Sequence, residues 1–206
     1  MSHPLIAALR TRRVVPVVRT ATRAQAETAV AWLRETGISV FEITMSVPEA
    51  PALIAELARE PGLVVGAGTV ASAADAAACL AAGAQFLVAP WVGTEIVAPA
   101  RAKGAAVMLG ALTPSEVRAA LAAGTDVVKI FPASSAGGPG HIRALRSVFP
   151  DVAFCPTGGV DPSNLRQWLD AGAAFVGIGG KLVDPKLIAA GDKAAVQAAA
   201  RAALAA

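Results

Sequence analysis

Two apolar runs in this chain each carry one charged residue. "VVKIF" at 127–131 sets Lys129 among Val127, Val128, Ile130 and Phe131, and "VFEIT" at 40–44 does the same with Glu42. β-Branched runs of this length read as buried strands, and an isolated buried charge costs on the order of several kcal/mol unless it is paired or neutralised. Burial beside another cation, here Arg19 or Lys181, favours the neutral amine, and a neutral amine adds to a ketone to form a Schiff base. Glu42 is then the available proton shuttle, because neither histidine, His3 or His141, falls at a strand end. The same two residues could instead form a structural ion pair, or Lys129 could snorkel to a surface. Spacing alone leaves these readings open.

Glycines supply a second kind of chemistry. "TGGV" at 157–160 and "GIGGKL" at 177–182 each follow an apolar run. Glycine lets a backbone approach an anion closely, so Gly158, Gly159, Gly179 and Gly180 are candidate phosphate contacts, with Lys181 as a point charge beside them. The plainer reading is a pair of tight turns at helix starts. The segment "SSAGGPG" at 134–140 is either a ligand contact or a flexible connection.

The elements that must position these residues follow from a repeat. Helical stretches ending in Gly83, Gly104, Gly124 and Gly172 run straight into apolar segments, as in "LAAGAQFLVAP" and "LAAGTDVVKIF". A helix, a glycine C-cap and a fully buried strand, repeated, make a parallel sheet covered by helices. Strands are expected at 14–18, 38–43, 63–67, 85–89, 105–109, 126–131, 152–155 and 174–178. Segments such as "TPSEVRAALAAG" and "DPSNLRQWLDAG" open on N-cap residues between them. Eight such units predict a single (βα)8 TIM barrel over residues 1–206, with an extra N-terminal helix at 3–12 closing its bottom. An open doubly wound sheet is the runner-up, but "VVPVVRTATRAQ" lacks the Gly-rich first turn it usually carries.

In such a barrel the working face lies at the C-terminal ends of the strands. The polar residues expected there are Arg19, Glu42, Thr69 in "GAGT", Thr113, Lys129 and Thr157, together with the glycine loops and Lys181.

Composition narrows the function. The chain is 55% hydrophobic and 16% charged, too apolar for a disordered segment. Its positive mean hydropathy comes largely from alanine, and no window approaches 18 apolar residues without Gly, Pro or charge. No membrane partner is therefore expected. The arginines near the N-terminus follow the apolar patch instead of preceding it, the reverse of a signal peptide, so the expected location is cytoplasmic. The net charge of +3 is scattered apart from "RTRR" at 10–13, which argues against a nucleic-acid face and suits a small anionic ligand. Cys79 and Cys155 are read as buried reduced thiols, and no metal site is expected.

The segments "VVPVVR", "FEITMSVPEA", "VGAGTV", "AGAQFLVAP", "VVKIFPAS" and "FCPTGGVDPSNLRQWLDAGAAFVGIGGKLV" together resemble the 2-keto-3-deoxy-6-phosphogluconate (KDPG) and 4-hydroxy-2-oxoglutarate (KHG) aldolase family. The likeness runs in order from about residue 5 to 185. It implies a class I aldolase, commonly a homotrimer, that needs no cofactor and acts on an anionic keto acid. By position, Lys129 is similar to the family's Schiff-base lysine and Glu42 to its acid/base glutamate. Arg19 and Thr69 resemble residues holding the pyruvyl end, Thr157 lines the same pocket, and Pro90 and Pro132 shape its mouth. Gly158, Gly159, Gly179 and Gly180 resemble the phosphate loops.

Three positions depart from the pattern. Lys181 stands where many members carry serine, Ser46 where many carry arginine, and "MLGALTP" lacks the Pro-Gly pair expected before its Thr-Pro. They bear on the tail of the substrate, which could be a phosphate, carboxylate or sulfonate, and leave the carbon–carbon lyase chemistry untouched. Two rivals from other classes are an imine-free phosphate-binding barrel doing isomerase or synthase chemistry, and a non-catalytic sugar-acid binder on the same scaffold.

Overall fold

The apolar runs become strands because both faces of each are buried. The computed structural model describes residues 3–206. Its strands are β1 (Val14–Val18), β2 (Val40–Thr44), β3 (Val64–Gly68), β4 (Phe86–Ala89), β5 (Ala106–Ala111), β6 (Val127–Ile130), β7 (Phe154–Pro156) and β8 (Val176–Ile178). The helices are α1 (Pro4–Arg12), α2 (Arg23–Arg34), α3 (Ala50–Leu57), α4 (Ala73–Ala81), α5 (Val97–Ala102), α6 (Pro114–Ala123), α7 (Gly138–Val148), α8 (Leu165–Asp170), α9 (Pro185–Ala189) and α10 (Lys193–Ala205). Consecutive strands from β1 to β7 pair in parallel, and β1 also pairs with β8. A bridge between Thr157 and Gly177 joins the last two strands and closes a (βα)8 barrel.

The repeated glycines do what the pattern predicts. Gly83, Gly104, Gly124 and Gly172 all have positive φ, between 66° and 96°, and turn the chain from a helix into the next strand.

Burial divides into two shells that follow the two-residue period of a strand. Phe41, Ile43, Val128, Ile130, Leu87 and Val176 pack outward against the helices. Val15, Val40, Phe86, Val88, Met108, Val127 and Phe175 fill the barrel interior. Ile6 and Leu9 of α1 belong to this inner cluster, so the leading helix plugs the bottom of the barrel as expected. Burying each of those two side chains contributes about 1.5–3 kcal/mol.

Apart from β1, each strand starts one or two residues later than its apolar run suggests. Ile38, Leu63 and Ala105 are buried, yet they precede the ladder and pack the way into it. A sharper difference lies at the end of β6. Phe131, expected inside that strand, is outside it and 40% exposed, because Pro132 has no N–H with which to continue the ladder.

Candidate active site

Alternation decides where the two charged strand residues point. Val127 faces the interior while Val128 and Ile130 face the helices, so Lys129 faces inward. In β2 the same parity turns Glu42 inward. Lys129 Nζ donates to Glu42 Oε1 at 3.2 Å and lies 3.5 Å from Oε2. The residues are 5% and 4% exposed, so the attraction and hydrogen bonds offset the loss of water around both. The ammonium also lies 5.9 Å from the centre of the Phe131 ring.

The ion pair expected from the plainer reading is therefore present, and it is also the contact that proton movement requires, since the carboxylate sits within hydrogen-bond reach of the amine. The charge touching Lys129 is a carboxylate and not the neighbouring cation suggested by the sequence. Arg19 and Lys181 line the same cavity, but Arg19 is tied elsewhere. Its Nη2 donates to Thr69 Oγ1 at 3.0 Å and its Nη1 to Ser46 Oγ at 3.3 Å. Ser46 in turn shares a 2.8 Å hydrogen bond with Thr44, whose hydroxyl donates to the Val18 carbonyl. These hydroxyls hold the guanidinium from two sides, and Ser46 thereby helps orient Arg19.

Thr69 holds an unusual backbone, with φ 57° at a β-branched residue. Conformations of this kind cost about 1–3 kcal/mol and persist where the surroundings impose them. Here the strain turns the chain directly after β3, where the Thr69 hydroxyl meets Arg19.

A cavity of about 810 Å³ opens at the C-terminal ends of the strands. Arg19, Thr69, Pro90, Lys129, Thr157, Gly158, Gly159, Gly179, Gly180 and Lys181 all line it; Glu42 is not part of the lining and reaches it through its contact with Lys129. Pro90 reaches the cavity because Gly110 has no side chain: a Cβ there would strike the Pro90 backbone, and the Gly110 N–H donates to the Trp91 carbonyl at 2.9 Å. This is the structural use of the glycine in "MLGALTP". Thr157 is held similarly, its hydroxyl occupying the space a Cβ on Gly177 would need.

The glycine loops are tied down by their carbonyls. Gly158 O accepts from Ser134 N at 3.0 Å and Gly159 O from Asn164 Nδ2 at 2.9 Å. Both glycines have positive φ, 89° and 79°. With the carbonyls engaged behind, the N–H groups of Gly159, Val160 and Gly180 have no acceptor among the described residues. Val160 is only 3% exposed, and a buried donor without an acceptor suits an anion. Asp161 lies beside this region. Its carboxyl is held below the ordinary aspartate value by the Ser163 hydroxyl, by the N–H groups of Ser163 and Asn164, and by the charge of Lys181.

Thr113 is absent from the cavity lining. Its hydroxyl accepts from the Glu116 N–H and the Glu116 carboxylate accepts from the Thr113 N–H, a complete capping box at the start of α6. Pro132 also lies outside the lining, which Phe131 enters in its place. Thr44 and Asp184 escaped notice in the sequence. Thr44 follows Glu42 at the spacing of one strand face, and Asp184 opens α9 as its N-cap in a D-P pair.

Cys155 faces the interior beside Lys129, its neighbour in the β6–β7 register. Burial pushes its thiol up to about 12, and Cys79, buried against Met45, is pushed up to about 11. Among the described residues no cluster of three His, Cys, Asp or Glu is placed to hold a metal ion, and no helix is long and apolar enough to cross a membrane.

Comparison with known proteins gives one consistent result. Residues 5–199 match the family described as KDPG and KHG aldolase. The chain is 36% identical over 172 residues to a 2-dehydro-3-deoxy-6-phosphogalactonate aldolase of Escherichia coli K12, covering 82% of this chain and 83% of that protein. A KDPG aldolase from Legionella pneumophila, solved with pyruvate captured as a covalent carbinolamine, superposes with a TM-score of 0.87 at 29% identity, covering 96% of this chain and 97% of that one. The aldolase of Zymomonas mobilis ZM4, solved with 3-phosphoglycerate, superposes with a TM-score of 0.85 at 33% identity, covering 100% and 97%.

Proposed function

We propose that this chain, which belongs to the KDPG and KHG aldolase family, is a class I aldolase that reversibly cleaves 2-keto-3-deoxy-6-phosphogluconate to pyruvate and glyceraldehyde 3-phosphate. The observation that carries the reading is the buried contact between the Glu42 carboxylate and Nζ of Lys129, which lines the cavity.

The chemistry follows from that contact. Transfer of one proton from Nζ to Glu42 frees the amine, which adds to the C2 ketone and forms a carbinolamine. Glu42 returns a proton to the departing hydroxyl, and loss of water leaves an iminium. The C4 hydroxyl then gives up its proton through a water held by Glu42, the C3–C4 bond breaks, and its electron pair moves into the iminium to form an enamine. The aldehyde leaves. Protonation at C3 and hydrolysis release pyruvate and restore the lysine.

Binding serves this sequence at both ends. Arg19 offers its planar fork to the pyruvyl carboxylate, with Thr69, Thr157 and Pro90 shaping the same end. The loops at Gly158, Gly159, Gly179 and Gly180, with Lys181, receive the phosphate. Gripping the tail far from the reacting carbons aligns the scissile bond. The chain acts as one domain without metal or cofactor, in the cytoplasm, as a homotrimer. The family resemblance supports the trimer, and light scattering tests it by comparing particle mass with three times the chain mass.

The deciding experiment is intact-protein mass after incubation with pyruvate and borohydride, wild type beside Lys129→Met. An adduct on the wild type alone is expected, and none on either protein would promote the imine-free barrel enzyme. A panel of 2-keto-3-deoxy acids then reads the tail and the C4 configuration, including the 6-phosphogalactonate acid named for the Escherichia coli relative. 4-Hydroxy-2-oxoglutarate and a 6-sulfo analogue complete it, and Lys181→Ser shows what the ammonium contributes.

A further inference from the structure

Glu42 owes its place to a side chain that is missing. Gly68 closes β3 on the inward side, in register with Thr44 on one flank and Val88 on the other. Its carbonyl accepts from Met45 N at 2.8 Å. The backbone at this point is therefore fixed in register with a strand on each side. A Cβ built there meets the Glu42 carboxylate itself, with Cδ and Cγ each at 2.7 Å and Oε1 closer still. Contacts of that length do not occur, so something must move, and the free end of the glutamate is the only nearby group that can.

Gly66, two residues earlier on the same face, behaves differently. A Cβ at Gly66 meets the ring of Phe86, which is fully buried in the packed interior. The two glycines share a strand and a face, but one makes room for packing and the other for a reacting group. We propose that Gly68 is a positioning residue, whose missing side chain holds the Glu42 carboxylate against Lys129 so that it can move protons on the imine-bound substrate. The inference rests on the aldolase reading above.

The step it controls can be isolated with pyruvate alone. Once pyruvate is joined to Lys129 as an iminium, Glu42 takes a proton from its methyl carbon and the electron pair forms the enamine. Return of a deuteron from D2O labels the methyl group, with no aldehyde involved. Gly68→Ala displaces the carboxylate but leaves the lysine in place. The variant should remain folded, with a melting temperature lowered by no more than that of Glu42→Gln, which breaks the same buried pair, and borohydride should still trap a pyruvyl adduct on Lys129 at the end point. Its deuterium uptake should fall about 100-fold, the scale of losing a positioned general base. In a Glu42→Gln background, where the base is already gone, Gly68→Ala should cost almost nothing further.

Uptake within about threefold of wild type in Gly68→Ala would overturn the proposal, as would losses that simply multiply in the double variant. An insoluble Gly68→Ala beside a soluble Glu42→Gln would overturn it too, by showing that the fold and not the glutamate needs the space. Failure of the wild type to form any pyruvyl adduct is a separate result, which defeats the aldolase reading itself.

Discussion

Replacing Lys129 by methionine should destabilise the barrel far more than a conservative change in side-chain length would. The ammonium and the Glu42 oxygen are 3.2 Å apart, and at an effective dielectric constant of about 20 their attraction is about 5 kcal/mol. Removing the lysine also removes the cost of burying its own charge, so the net loss is smaller than the attraction. What remains is a carboxylate on a residue only 4% exposed with its ion-pair partner gone. Breaking a buried pair in this way typically costs about 3–5 kcal/mol, and that is the expected loss. The double variant Lys129→Met/Glu42→Leu removes the stranded charge and should recover to within about 1 kcal/mol of wild type, since apolar replacement of a buried pair is often neutral. Urea unfolding near neutral pH at one protein concentration, followed by tryptophan fluorescence, reads all three. A single variant within about 1 kcal/mol of wild type would refute the reasoning, and so would a double variant as weak as the single one. Both variants should lack aldolase activity, so the stability cost and the catalytic loss are measured apart.

Arg19→Lys keeps the charge but loses the fork that spans Thr69 and Ser46; the pyruvate KM in methyl exchange should rise about tenfold with kcat nearly unchanged. Burial raises Cys79 to about 11 and Cys155 to about 12 from an ordinary 9.0, so the native state keeps protons that the unfolded chain gives up. The thiols' contribution to stability is therefore complete below about pH 9 and is lost as pH climbs toward 11–12, and urea midpoints should fall less steeply across that window in a Cys79→Ala/Cys155→Ala chain. Thr113→Ala breaks the capping box of α6 and should cost about 0.5–2 kcal/mol in unfolding experiments while leaving the pyruvate KM as it was.

Much of the barrel was legible in the chain because its signals are local. A glycine that ends a helix does so by its own φ, and an apolar run between two such glycines has few options but a buried strand. The order of eight units and the helix at the bottom follow from those signals. The candidate residues were found for the same reason. Lys129 and Glu42 stand out against apolar neighbours, and paired glycines after the last two strands mark candidate anion loops.

Thr113 shows where locality misleads. A polar residue after a strand can line a cavity or cap the next helix, and "TPSE" contains the whole capping box within four residues. The local contact prevailed because it satisfies backbone donors that would otherwise lie open. Phe131 misled in the other direction, since its apolar side chain matched the strand while the proline after it ended the ladder.

Which of its possible partners each candidate group meets was decided only in three dimensions. Lys129 and Glu42 are 87 positions apart in the chain. They meet because ring closure and strand parity bring β2 and β6 to the same interior, and no spacing in the sequence encodes that. The same holds for Arg19, placed by hydroxyls on two other strand ends, and for Gly68, whose importance is the space it leaves for a glutamate on the neighbouring strand. Local signals specify which elements form and which residues carry charge. Which charge touches which, and where a missing side chain makes room, depends on the barrel being closed.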